Sequence, residues 1–153
     1  MPPLVKTESN GSCFIEALLL HTLEIDPDTH NVSRDAIQDI RNTVPGIRPA
    51  MHKFLEGAEQ QAVADYLDLS YAIIDIQRKR AALFVANRRL YSECRYAVLV
   101  QSRTRSHVDV LKPQSASQCE PLSWLALQTF LNKFHIELPE LPTCSVTTVD
   151  LTL

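Results

Sequence analysis

Residues 10–23 read Asn10-Gly11-Ser12-Cys13-Phe14-Ile15-Glu16-Ala17-Leu18-Leu19-Leu20-His21-Thr22-Leu23. Asn-Gly-Ser turns a chain, because small polar side chains bond their own backbone and glycine accepts conformations that other residues resist. The run that follows leaves almost no polar face. A helix that is apolar all round is a buried one, so a helix opening at or just before Cys13 belongs at the centre of the fold. It stops ahead of Asp26-Pro27-Asp28, which reads as a loop.

The surrounding segments supply what covers that helix. Residues 1–9 are extended and polar. Ser33 caps a helix over 34–43 that carries Ala36, Ile37 and Ile40 on one side and is stopped by Pro45-Gly46. Pro49 opens a short helix with Met51, Phe54 and Leu55, ended by Gly57. Residues 59–67 form another, with Ala62, Val63, Tyr66 and Leu67 inward. The period then changes to two. Strands are predicted over 70–76, 81–85, 95–101 and 107–111, with Arg78-Lys79-Arg80 as a solvated turn and 102–106 as a polar hairpin loop. In 95–101, Tyr96, Val98 and Val100 alternate with Ala97 and Leu99; in 107–111, Val108 and Val110 lie opposite His107, Asp109 and Leu111. After a Ser/Gln-rich loop, 121–134 is an amphipathic helix with the stripe Trp124, Leu127, Leu131 and Phe134. From Leu138 the chain is punctuated by prolines, and Val149, Leu151 and Leu153 alternate at its end. Helices first and meandering strands afterwards indicate an α+β fold.

The 153 residues suit one domain, 1–153, with a core over about 8–135 and an extended tail over 136–153. Hydrophobic residues at 45% and charged residues at 22% fit a globular protein with one core. A net charge of −3 argues against a general nucleic-acid binder. No apolar run reaches the roughly 18–20 residues of a membrane span, and Met1-Pro2-Pro3 does not open a signal peptide. The expected location is the cytoplasm. Cys13, Cys94, Cys119 and Cys144 are widely spaced without a C-x-x-C pair, and no histidine pair has metal-ligand spacing, so free thiols and neither metal nor cofactor are expected.

One of these thiols is then a candidate nucleophile. Cys13 sits in the first turn of the buried helix, where the helix dipole favours a thiolate and the unpaired N–H groups can hold an oxyanion. The competing role is a small core residue, common for cysteine. Cys94, in a loop, and Cys119, in a polar linker, do not precede a buried helix. Ser106-His107-Val108-Asp109 is the second element. On a strand, His107 and Asp109 share a face about 6–7 Å apart, so Asp109 can hold the imidazole while the ring's other nitrogen meets a thiolate. The plain alternative is an edge-strand histidine beside a solvated aspartate. His21 lies about 12 Å along the same helix from Cys13 and cannot reach it. His30, His52 and His135 lack a carboxylate two residues on.

Asn10-Gly11-Ser12-Cys13-Phe14 and His107-Val108-Asp109, in this order, resemble the ovarian tumour (OTU) family of papain-like cysteine proteases, whose members carry D-G-N-C-[LF] at a central helix and H-x-[DN] on a later strand. Residues 58–76 and 95–100 are similar to the family's intervening helix and strands, so the resemblance covers roughly 8–112. Asn10 and Ser12 depart from the family's Asp and Asn, and Val108 from its frequent aromatic residue. Compactness and divergence are similar to the small OTU domains of viral polyproteins.

The resemblance implies an OTU fold: a buried central helix carrying the cysteine, a small mostly antiparallel sheet carrying the histidine, and flanking helices. It implies a thiol protease with Cys13 as nucleophile, His107 as base, Asp109 as orienting group, and the backbone at Asn10 and Gly11, with the Cys13 amide, as oxyanion site. The implied partner is ubiquitin or a ubiquitin-like protein, with polyprotein cleavage sites as a second substrate class. The family cradles a basic tail, which makes Glu8, Glu56, Glu59 and Asp65 candidates to line the groove. Two other classes stay open: an OTU-shaped interaction module without turnover, and a self-cleaving protease that never acts on ubiquitin.

Overall fold

The computed structural model describes residues 4–5, 7, 11–23, 32–49, 53–101, 107–111 and 119–138. Its element order is β1 (Leu4–Val5), α1 (Cys13–Thr22), α2 (Arg34–Thr43), α3 (Gly57–Leu67), β2 (Ser70–Asp75), β3 (Arg80–Phe84), β4 (Arg95–Gln101), β5 (Val108–Leu111), β6 (Leu122–Ser123) and α4 (Trp124–Lys133), with short 3-10 turns at Ala86–Arg88 and Tyr91–Glu93. This is an α+β fold.

The strands form one sheet in the order β1-β5-β4-β2-β3. β2 and β4 run parallel, and the other pairs are antiparallel. β2 occupies one edge of β4. β5 takes the far end of the other edge at Leu99–Gln101, and β6 pairs with its near end at Arg95 and Tyr96. Period-two alternation divides β4 between two cores. Ala97 and Leu99 join the cluster of α1, α2 and α3, whereas Tyr96 and Val98 join that of α4. Both faces are therefore covered, with α1–α3 on one side and α4 on the other. Helix α1 behaves as its composition demands: Cys13, Phe14, Ile15, Ala17, Leu18, Leu19, Leu20 and His21 are all buried. Phe14 meets the edge of Tyr71 on β2, which in turn stacks on Phe84 of β3.

Several local expectations are corrected. The N-terminal residues are not merely extended: Leu4 and Val5 pair with Leu111 and Val110, adding a strand too short for alternation to reveal. Gly57 begins a helix instead of ending one. Residues 53–56 are not helical. Glu56 caps α3, and the Glu59 side chain reaches back to the Glu56 N–H, a reciprocal box that starts the helix two residues earlier than expected. The last helix starts later than expected, because Ser123 accepts from Ala126 N–H at 3.2 Å and the preceding residues are drawn into the sheet. Ser33 caps α2 as expected. The 102–106 loop, Met51 and the alternating residues of the C-terminal tail lie outside the described residues.

His21 is a buried polar group inside α1. Its Nδ1–H donates to the Ala17 carbonyl at 2.8 Å, and its Nε2 has no hydrogen-bond partner among the described residues. Burial drives its pKa down from 6.5 to about 4, against a smaller upward pull from the Ala17 carbonyl. The unfolded chain therefore binds a proton that the folded chain refuses, and stability falls as pH drops from about 6.5 towards 4. Urea midpoints measured over that window should fall for the native sequence and fall markedly less for His21→Leu; parallel curves would show that His21 does not govern the loss.

Candidate active site

Helix α1, which opens at Cys13, packs against β5, which follows His107 and carries Asp109. Gly11 has φ of 91°, a left-handed conformation that favours glycine, and it swings the chain into α1. Ser12, the first flanking residue, does not cap the helix with its side chain. Its hydroxyl instead accepts from Arg41 Nε at 3.0 Å. Cys13 follows as the first helical residue, with 0% exposure.

The backbone N–H groups of Val108, Phe14 and Cys13 itself favour the ionised form of the Cys13 sulfur. Val108 belongs to the same core cluster as Cys13 and lies between His107 and Asp109. Burial is the dominant influence and raises the thiol pKa above its ordinary value; the N–H groups pull it back only in part, and Glu16 adds to the rise. This corrects the expectation of a thiol acidified by its helix terminus. The helix N–H groups do favour the thiolate, but removal of the sulfur from water costs more.

His107 and Asp109 are joined at 2.8 Å, Nε2 to Oδ1. A carboxylate oxygen only accepts, so Nε2 carries the proton and Nδ1 is the basic nitrogen of the neutral ring. β5 begins at Val108, one residue later than expected, so His107 flanks the strand instead of belonging to it. Val108 and Val110 pack with α1, which places Asp109 and Leu111 on the opposite face.

Sequence reading misses two residues here. Thr7, just beyond β1, donates its backbone N–H to Asp109 Oδ1 at 3.2 Å and its hydroxyl to the Val108 carbonyl at 2.7 Å; the same hydroxyl lies 3.4 Å from His107 Nε2. Nothing in so short a strand announces this. Arg41 does carry a signal. It shares the helical face of Ile37, Ile40 and Val44, all buried, and a charged residue on an apolar stripe needs partners. Its guanidinium donates to Ser12 Oγ, to the Gly11 carbonyl at 3.0 Å, and to the carbonyls of Arg48 and Lys53 at 2.7 and 2.6 Å.

Of the other expected residues, Asn10 lies outside the described residues, and the described bond of Gly11 is made by its carbonyl. Glu8 also lies outside them. Glu59 is held by Arg48 at 2.7 Å: burial alone would raise its pKa, but the Arg48 guanidinium and the N–H groups of Glu56 and Arg48 bring it down to about 2. Asp65 is occupied by Gln61 and Asn87. Cys94 and Cys119 are buried, Cys119 in the same core cluster as Cys13. Cys144 lies outside the described residues. Among the described residues no group of three His, Cys, Asp or Glu side chains could hold a metal, and no helix is long and apolar enough to cross a membrane. An open groove of about 710 Å³, lined in part by Trp124, Leu131, His135 and Leu138, lies at α4, and no candidate catalytic residue lines it.

No family model matches the chain, and no curated protein matches it in sequence. Solved structures do match in fold. An ovarian tumour (OTU) domain in complex with ubiquitin superimposes with a TM-score of 0.53 at 13% identity, covering 86% of this chain and 81% of that one. The viral OTU domain protease from Taggert virus gives a TM-score of 0.48 at 12% identity over 77% of this chain and 83% of that one. The chain has an OTU-like fold.

Asp109 accepts from both Thr7 and His107, so its removal takes an acceptor from two donors. Asp109→Ala should lower the unfolding free energy by about 1–3 kcal/mol, the range for an unsatisfied buried partner. Asp109→Asn, which keeps the Oδ1 acceptor, should lose less. Equal urea midpoints for all three proteins would show that the pairing contributes nothing to stability.

Proposed function

We propose that this protein is a thiol-dependent hydrolase that cleaves peptide or isopeptide bonds after the C-terminus of ubiquitin or a ubiquitin-like modifier. The observation that carries the reading is the His107–Asp109 pair, joined at 2.8 Å on the segment that packs against α1, the helix that opens at Cys13. The OTU-like fold supports it, and the similar solved OTU domain is bound to ubiquitin.

In this reading Cys13 gives its proton to Nδ1 of His107, and its sulfur bonds to the scissile carbonyl carbon. The carbonyl electrons move to oxygen, where the Cys13 N–H and the neighbouring turn amides at Asn10 and Gly11 steady the charge. Collapse breaks the carbon–nitrogen bond, and the leaving amine takes the proton from His107. Water then adds to the thioester with His107 as base, which frees the carboxylate and restores the thiol. Asp109 keeps the ring oriented throughout. The raised thiol pKa suits a nucleophile that loses its proton only as attack begins. The same steps serve cleavage of a polyprotein junction as a second activity. A working thiol requires a reducing compartment, in keeping with a cytoplasmic site of action.

The test is a fluorogenic amide at the ubiquitin C-terminus, with a thiol-reactive ubiquitin probe beside it. The native protein should turn over the first and be labelled by the second. Cys13→Ala and His107→Ala should each lose roughly 10³-fold or more in kcat, since nucleophile and base act as a unit. Cys94→Ser and Cys119→Ser should retain turnover. Labelling that survives in Cys13→Ala removes Cys13 as nucleophile. Labelling of the native protein without turnover indicates an interaction module, and turnover of peptide junctions alone indicates a protease that does not act on ubiquitin.

A further inference from the structure

Arg41 is 2% exposed, and its charge is spread over partners from two separate segments. On one side it grips the turn before Cys13, through the Gly11 carbonyl and the Ser12 hydroxyl. On the other it grips the α2–α3 connection, through the carbonyls of Arg48 and Lys53. That connection is fixed in turn. Arg48 donates its backbone N–H and its guanidinium to Glu59, and its guanidinium also to the Phe54 carbonyl. Glu59 stands in the first turn of α3 and closes the capping box there. A continuous polar chain thus runs from the start of α3, through Glu59, Arg48 and Arg41, to the residues that precede the thiol.

We propose that Arg41 is a positioning residue for the Cys13 nucleophile, locking the peptide plane between Gly11 and Ser12 and holding a fixed positive charge behind the thiol. The role rests on the reading of Cys13 as nucleophile. A peptide unit is planar and trans, so a carbonyl held at Gly11 also sets the direction of the Ser12 N–H. A hydroxyl held at Ser12 then sets where α1 begins, and with it the Cys13 N–H and the sulfur. Only a planar fork can serve both atoms and still reach the connection; a lysine ammonium is a point charge on a flexible stem. Burial weakens Arg41's hold on its proton, while the negative charge of Glu59 and that of an ionised Cys13 favour its charged form. Bonded to Gly11 and Ser12, the guanidinium holds its charge against the two residues that precede the thiol, and a positive charge so placed favours the thiolate.

Three variants separate charge from hold: Arg41→Lys keeps the charge, Arg41→Met removes it, and Ser12→Ala deletes one contact and spares the arginine. Folding is checked by thermal melting. With the ubiquitin reporter, Arg41→Lys should lower kcat about 10²-fold with KM nearly unchanged, the scale of a displaced reacting group. Ser12→Ala should lower kcat a few-fold, as expected for loss of a single hydrogen bond. Alkylation of Cys13 by iodoacetamide, followed against pH and read by mass spectrometry, needs no ubiquitin activity. Its midpoint should move upward in Arg41→Met and stay at the native value in Arg41→Lys. A folded Arg41→Lys with native kcat, or a folded Arg41→Met with the native alkylation midpoint, overturns the proposal. If Arg41→Met does not fold, native kcat in Ser12→Ala overturns it. Absence of turnover in the native protein would sink the hydrolase reading alone, and the alkylation profiles would still decide the role of Arg41.

Discussion

Helix α1 has no polar face to offer water, and the rest of the architecture follows from covering it. The sheet takes one side through Tyr71, Ala97, Leu99, Val108 and Val110, and α2 and α3 contribute Ile37, Ile40, Val63 and Ala64 to the same cluster. A two-layer arrangement would leave the other sheet face bare, so β2 and β4 alternate and α4 closes the second core with Leu127 and Leu131. Burial of the helix then dictates the chemistry at its first turn. The thiol sits where backbone N–H groups converge, yet water is excluded, and exclusion outweighs the helix terminus in setting its proton affinity.

The two flanks of the site are held by different means. The His107 side depends on a carboxylate that collects donors from Thr7 and His107. The Cys13 side depends on a guanidinium that distributes donors among Gly11, Ser12, Arg48 and Lys53. Each is a buried charge whose cost is offset by hydrogen bonds, and each joins segments far apart in the chain. An apolar core specifies which faces meet; these polar contacts specify how the segments that carry Cys13 and His107 are turned.

Strong periodicity makes part of this fold legible in the amino-acid sequence. Alternation over 95–101 matches β4 residue for residue, and the apolar stripe behind Ser33 matches α2. Turn and strand spacing single out Cys13 and Asp109. What escapes depends on partners distant in sequence. Leu4–Val5 is a strand only because β5 presents an edge, and Leu122–Ser123 only because β4 does. Gly57 resembles a helix end, and only the reciprocal box of Glu56 and Glu59 makes it a beginning. The thiol's raised pKa is hidden for the same reason: a motif displays the helix terminus, whereas desolvation is a property of everything packed around it.

Thr7 donates to a residue 102 positions further along the chain. β1 pairs with β5 over a similar separation, Leu4 opposite Leu111. Closing so long a loop is slow, and the contact gives no return until both ends are present. During synthesis, β5 is made long after Cys13 has emerged, so α1 spends that interval without the strand it packs against, and Asp109 waits for the amino-terminal segment to come back. The contact thus joins segments 102 residues apart, and a chain cut short anywhere between Cys13 and His107 retains the thiol but neither the His107 imidazole nor the Asp109 carboxylate.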